Sequence, residues 1–251
     1  MPAWVEKNHA DLVPAARVVA GMLRRRCEHS AGAATQSVEL ELRLGQRRDG
    51  QAFDPDVGFD RCDAFLQRCG PRRPGSVVFT EWVEYTDYHS EDADGRRLRT
   101  RARYDADECR VVARTVRKQR LERAELSAGK WAVRCDYSRE DEIPPGDVPA
   151  LLHPVAVTCC QRCSASPVCS RWPTPLWRYD FTTRWHGDTL QAVEKQRGEN
   201  GAAPAYIVEL EYVGDAAAVE GLGAVYIAVA GLLQLLDIVS ATSAPCHPVS
   251  T

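Results

Sequence analysis

Ser37-Val38-Glu39-Leu40-Glu41-Leu42-Arg43-Leu44, near the start of the chain, and Tyr206-Ile207-Val208-Glu209-Leu210-Glu211-Tyr212, near its end, share one alternation. Successive side chains of a β-strand point to opposite faces. Each segment therefore sets two glutamates on one face and aliphatic or aromatic residues on the other. Taken alone, Glu39 and Glu41 read most simply as solvated strand charges. Two such strands side by side would gather four carboxylates. Oxygen donors of that kind suit a hard divalent cation such as magnesium or manganese. Glu39, Glu41, Glu209 and Glu211 are thus candidate metal ligands.

The middle of the chain repeats the pattern with the opposite sign. Arg97, Arg99, Arg101 and Arg103 recur at period two, which a helix would scatter and a strand aligns. Tyr104-Asp105-Ala106-Asp107-Glu108 reads as a reversal, and the next strand carries Arg110, Arg114, Lys118 and Arg120 at even positions. On its own this would be a solvated strand face. Downstream, Arg134, Asp136, Ser138 and Glu140 share one face of Trp131–Glu140. Trp177, Tyr179 and Phe181 then alternate with Arg178, Asp180 and Thr182.

Strands with one charged and one apolar face admit two architectures. In an open sheet the charges meet water. In a closed antiparallel barrel they line a lumen, and helices cover the apolar outside. The barrel uses both the acidic and the basic strands, as opposite walls, and the terminal helices as cover. A lumen dense in charge is costly to dehydrate unless ions fill it. A metal on the glutamates and a polyphosphate gripped by arginines would do so, because the planar guanidinium pairs two oxygens at once. The expected fold is mainly β (α+β): a closed eight-stranded barrel flanked by N- and C-terminal helices.

Composition sets the bounds. The 251 residues are expected to form a single domain over 1–251, with 1–13 a flexible N-terminus and helices over 14–27 and 221–239. A short helix is also expected around Asp60 to Arg68. A net charge of −3 gives no global basic field for nucleic acid, although 32 basic and 35 acidic side chains leave room for local segregation. Met1-Pro2-Ala3-Trp4-Val5-Glu6-Lys7 lacks the features of a secretory signal, so secretion is not expected. Residues Gly221 to Val239 form the longest apolar stretch, interrupted by Tyr226, Gln234 and Asp237. It reads as a buried helix rather than a membrane span, and no membrane partner is expected. Ten cysteines without a signal read as reduced thiols. Cys159, Cys160, Cys163 and Cys169 lack two clean Cys-x-x-Cys pairs, which makes zinc the weaker reading. The six histidines show no ligand spacing, and the tryptophans read as core, with Trp172 and Trp185 placed near a tunnel mouth.

The paired Glu39-Leu40-Glu41 and Glu209-Leu210-Glu211 motifs, joined by alternating basic strands, resemble the triphosphate tunnel metalloenzymes. The capping-type RNA triphosphatases of fungi and protozoa fit best. One Glu-x-Glu carries no weight, but two at opposite ends with Arg178-x-Asp180-x-Thr182 between them are fairly specific. The resemblance covers about Val38 to Tyr212. It implies an eight-stranded tunnel that removes the γ-phosphate of triphosphate-ended RNA with Mg2+ or Mn2+, acting in the nucleus beside a separate guanylyltransferase. It also implies roles: Glu39, Glu41, Glu209 and Glu211 for metal; Arg101, Lys118, Arg162 and Arg178 for phosphate; Glu140 for the attacking water; and Asp180 for orienting Arg178. Arg99 and Arg103 share the face of Arg101, and together with Thr182 they complete the expected substrate contacts. The chain departs from the family at Cys160, where a phosphate-binding lysine belongs. Either that strand is misaligned, or another basic residue such as Arg43, Arg134 or Arg184 fills the gap.

Two other functions share these residues. One is the same tunnel acting on free tripolyphosphate or nucleoside triphosphates, whose enzymes commonly carry Glu-x-Glu-x-Lys where Arg43 stands here. The other is a β-rich module that binds anions such as RNA 5′ ends without hydrolysis, which would not need the four glutamates.

Overall fold

In the computed structural model, which describes residues 3–30, 36–47, 52–69, 77–79, 82–128, 131–145, 154–167, 176–198 and 203–241, period-two alternation governs the long strands. The strands are β1 (Gln36–Gln46), β2 (Val77–Phe79), β3 (Val83–Glu91), β4 (Arg97–Asp105), β5 (Arg110–Ala128), β6 (Trp131–Ile143), β7 (Ala156–Pro167), β8 (Trp177–Gly187) and β9 (Ala205–Tyr212). Neighbours run in the order β7-β3-β4-β5-β6-β1-β9-β8, and β8 pairs back to β7 to close an antiparallel ring of eight. The three-residue β2 adds to β7 beyond the end of β3. Closure leaves no long edge to aggregate.

The ring forms because each strand has one oily face to hide. Leu40, Leu42 and Leu44 of β1, Cys135 and Tyr137 of β6, Trp177 and Phe181 of β8, and Leu210 and Tyr212 of β9 all point outward and are buried. Two helices cover them: α1 (Ala3–Ser30), through Ala16, Val19 and Leu23, and α5 (Ala224–Ala241), through Ile227, Ala228 and Leu232. Side chains this apolar contribute about 1.5–3 kcal/mol each when fully buried. α1 begins at Ala3, with Pro14 inside it, so the flexible start expected for 1–13 is helical where described.

The apolar stretch at 221–239 is broken rather than continuous. α4 (Ala216–Leu222) bends by 98° into α5 at Gly223, whose φ of 82° suits glycine. No single helix among the described residues is long and apolar enough to cross a membrane. α2 (Phe59–Cys69) packs near β9 and α5, and α3 (Leu190–Gly198) covers Val157 and Cys159 through Val193.

Among the described residues no group of three His, Cys, Asp or Glu side chains gathers to hold zinc on β7. Cys160 faces the lumen while Cys159 and Cys163 face away, as the pleat dictates, and Cys169 lies outside the described residues. Trp172 lies outside them as well.

Candidate active site: a charged lumen

The inward faces enclose a cavity of about 620 Å³ lined by eleven arginine and lysine side chains and eight carboxylates. The chain as a whole carries a net −3, so positive charge has been concentrated here while the outside is acidic. Such a surplus focuses an attractive potential on anions.

The acidic wall is β1 and β9. Antiparallel register sets Glu41 opposite Glu211 and Arg43 opposite Glu209. All four predicted glutamates line the cavity. Lys118 reaches across from β5, its Nζ 2.7 Å from Glu39 Oε2, 3.4 Å from Glu41 and 3.6 Å from Glu140. Arg43 binds Glu209, and Arg178 binds Glu211.

These neighbours set the protonation of the wall. Burial pushes the Glu41 carboxyl up to about 7, with Lys118 opposing and Glu209 and Glu39 adding to the rise. Burial also raises Glu211, against the pull of Arg178. Glu39 is held below the usual range because attraction and a hydrogen bond from Lys118 outweigh its burial. Lys118 is desolvated too, but Glu41, Glu39 and Glu140 raise it above its ordinary value.

Among the described residues no three acidic, histidine or cysteine side chains are already gathered on one point to hold a metal. Each carboxylate is drawn aside to a cation instead. The donor set nevertheless fits a hard dication: every donor is oxygen, and burial, with Glu209 and Glu39 nearby, holds the Glu41 carboxyl above its usual range.

The basic walls are held by their own carboxylates. Asp180, 3% exposed, accepts two hydrogen bonds from Arg178 (3.0 and 3.0 Å), one from Arg162 (3.4 Å) and one from Ser164 (2.6 Å). Asp87 accepts two from Arg101 (2.7 and 2.8 Å), whose guanidinium lies 3.9 Å from the Tyr85 ring centre. Glu140 accepts from Arg99 at 2.8 Å, and Asp136 binds Arg123 in two-point fashion at 2.6 and 2.9 Å. Thr182 lines the same cavity. Two-point pairing to a buried carboxylate fixes a guanidinium's plane as well as its position.

Arg103 and Arg134 stand apart. Arg103 is half exposed near Asp105, and Arg134 binds Glu125 at 2.6 Å with its guanidinium 4.0 Å over Phe53. Neither lines the cavity, because both lie too far along their strands although on the expected face. Alternation also left residues unannounced. Tyr85, Asp87 and His89 of β3 face inward, but Tyr88 on the other parity blurs the pattern. Arg123 faces inward because a bulge between Arg120 and Glu122 shifts the register of β5 by one.

The inward faces thus form a closed eight-stranded antiparallel tunnel, with acidic and basic walls facing a common lumen. Among solved structures, the chain is similar to the S. pombe Pct1 RNA triphosphatase, at 15% identity, 89% coverage of this chain, 91% of that chain and a TM-score of 0.60. The same protein in complex with the Spt5 CTD matches at 15% identity over the same shares, with a TM-score of 0.59. The Mimivirus capping enzyme triphosphatase matches at 13% identity, covering 89% of this chain and 96% of that one, with a TM-score of 0.54. No protein-family model and no curated protein matches the sequence. The chain has the tunnel fold of these RNA triphosphatases.

Proposed function

We propose that this chain is a divalent-metal-dependent RNA 5′-triphosphatase of the capping type, converting triphosphate-ended RNA to diphosphate-ended RNA and inorganic phosphate. The observation that carries the reading is the meeting of Glu39, Glu41, Glu209 and Glu211 on one wall of a lumen with a surplus of fixed guanidiniums. The names of the proteins that share the fold support RNA as the substrate. By the same resemblance the chain acts in the nucleus and hands its product to a separate guanylyltransferase.

A magnesium or manganese ion held by the four glutamates would neutralise charge on the γ-phosphate. The protein's own side chains supply the rest. Arg101, Arg162, Arg178 and Lys118 bind phosphate oxygens, and Asp87 and Asp180 hold three of them in orientation before substrate arrives. Little reorganisation is then needed as charge develops in the transition state. Glu140, 4% exposed and tethered by Arg99, orients the attacking water and accepts its proton. In-line phosphoryl transfer needs no covalent nucleophile. Burial pushes the lumenal thiol of Cys160 up to about 11, which keeps it protonated and a poor nucleophile.

The test is phosphate release from triphosphate-ended RNA with magnesium, with manganese and with chelator, and from tripolyphosphate in parallel. One phosphate per RNA end, dependent on metal, is expected. Hydrolysis of tripolyphosphate alone would transfer the site to free triphosphates. Binding of either without release under any metal would leave an anion-binding module.

A further inference from the structure

Nearly every basic side chain in the lumen is already committed to a carboxylate. Arg43 is held by Glu209, Arg99 by Glu140, Arg101 by Asp87, Arg114 by Glu142, Lys118 by Glu39, Arg120 and Arg123 by Asp136, and Arg162 and Arg178 by Asp180. Among the described residues, Arg97 and Arg184 are the two lumenal cations with no carboxylate partner. Arg97 is exposed at the start of β4, whereas Arg184 is half-buried within β8. A half-buried guanidinium without a counter-charge costs free energy unless an anion visits it.

The cross-strand neighbours of Arg184 are neutral. Arg184 stands directly opposite Cys160 in the β7–β8 register, and Cys160 stands opposite Tyr85 in the β3–β7 register. Burial keeps both Cys160 and Tyr85 protonated. This row across three strands therefore carries one charge, that of Arg184. Two further guanidiniums flank it: those of Arg101 and Arg162 lie 3.9 and 5.5 Å from the Tyr85 ring centre. Arg184 lines the same cavity as His89 and Cys160, which places its charge inside the lumen rather than in solvent.

We propose that Arg184 is a phosphate-binding residue of the lumen. With Arg101 and Arg162 it forms a three-guanidinium subsite above Tyr85 and Cys160, supplying from β8 the positive charge that β7 lacks at Cys160. The assignment rests on the triphosphatase reading and adds to it the residue that grips the substrate where no other cation is free to. Arg101 and Arg162 must share their donors with Asp87 and Asp180, whereas Arg184 brings all five to the anion.

Calorimetric titration of tripolyphosphate into the full chain, with magnesium and with chelator, tests this. The proteins compared are the unmodified chain, Arg184→Gln, and Arg184→Gln combined with Cys160→Lys. Loss of a charged donor pair predicts binding weaker by about tenfold or more in Arg184→Gln. The unfolding temperature should hold, since Arg184 has no structural partner to orphan. The double variant should regain most of the affinity, because its lysine sits directly across the strand. Binding by Arg184→Gln within about twofold of the unmodified chain would overturn the assignment while leaving the triphosphatase reading intact. So would an affinity loss explained by a fall in unfolding temperature, or a double variant that regains nothing. No binding by the unmodified chain in either condition would remove the triphosphatase reading and this assignment with it.

Discussion

Glu41 of β1 and Glu211 of β9 are cross-strand partners, two acidic side chains set directly opposite one another. Like charges set directly opposite one another destabilise a sheet. Burial adds to the strain by raising both carboxyls. Fold stability alone gives no reason to keep them, whereas a bound dication does.

Glu41→Gln should therefore unfold at an equal or slightly higher temperature than the unmodified protein without metal, since Lys118 keeps Glu39 and Glu140 as partners. Saturating magnesium at about a hundred times its dissociation constant should stabilise the unmodified chain by about 2.7 kcal/mol, an effect lost in the variant and reversed by chelator. Phosphate release should fall by about two orders of magnitude or more. A variant that is less stable without metal, yet as active with it, would remove these glutamates from the metal site.

Asp180 anchors two arginines that come from different strands. Asp180→Asn would leave Arg162 facing a neutral amide and Arg178 held by Glu211 alone, inside a largely buried site. Breaking a buried pair by removing one partner costs about 3–5 kcal/mol, discounted here because both guanidiniums remain about one-third exposed. Activity should fall further than stability accounts for, with kcat dropping more than KM rises, because the arginines lose orientation and keep their charge. Ser164→Ala removes one hydrogen bond to Asp180 and should show the same effect in miniature. Equal losses in the two variants would contradict the orienting role.

How far the sequence carried can be judged at particular residues. Glu39, Glu41, Glu209 and Glu211 were legible because strict alternation without interruption fixes a face, and hydrophobic Leu40, Leu42 and Leu210 fix which face turns outward. Alternation says nothing of height along the barrel axis. Arg103 and Arg134 obey it and still miss the cavity. Nor does it survive a bulge, which is why Arg123 turns inward at an odd position beyond even-numbered Lys118 and Arg120. Asp87 went unread because its strand carries tyrosines on both parities, and its role is set by Arg101 on the neighbouring strand. In the sequence Arg184 is one of several basic residues able to stand in at Cys160. Its distinction, the lack of a partner, depends on where every other carboxylate falls.

Gly231 of α5 packs directly against Trp177 of the barrel. A Cβ there would sit 2.6 Å from Cε2 of Trp177, a ring fully buried with its Nε1 donating to the Ile227 carbonyl at 3.1 Å. Gly231→Ala gains up to about 1 kcal/mol of helix propensity. Overpacking against a ring that cannot move costs typically about 1–3 kcal/mol. Thermal unfolding should therefore shift down by a few degrees while phosphate release by the folded protein is retained. An upward shift would mean that α5 can slide away from Trp177 without loss.

Asp136 gives the acid side of the stability curve. Burial would raise its carboxyl, but the hydrogen bonds and charge of Arg123, aided by Arg43 and Arg120, outweigh burial and hold it below the ordinary 3.8. The folded state thus binds this proton less readily than the unfolded chain. Its contribution is present in full above the unfolded value and is lost as pH falls through the lower, folded one. Asp136→Asn abolishes the pair and leaves Arg123 and Arg120 facing a neutral amide, at a cost of about 1–3 kcal/mol near neutral pH. Urea unfolding of both proteins from pH 7 down to pH 3 should show the two stabilities converging only below about pH 4. A gap between the two that stays constant across that range would mean that Asp136 acts through its shape and not its charge.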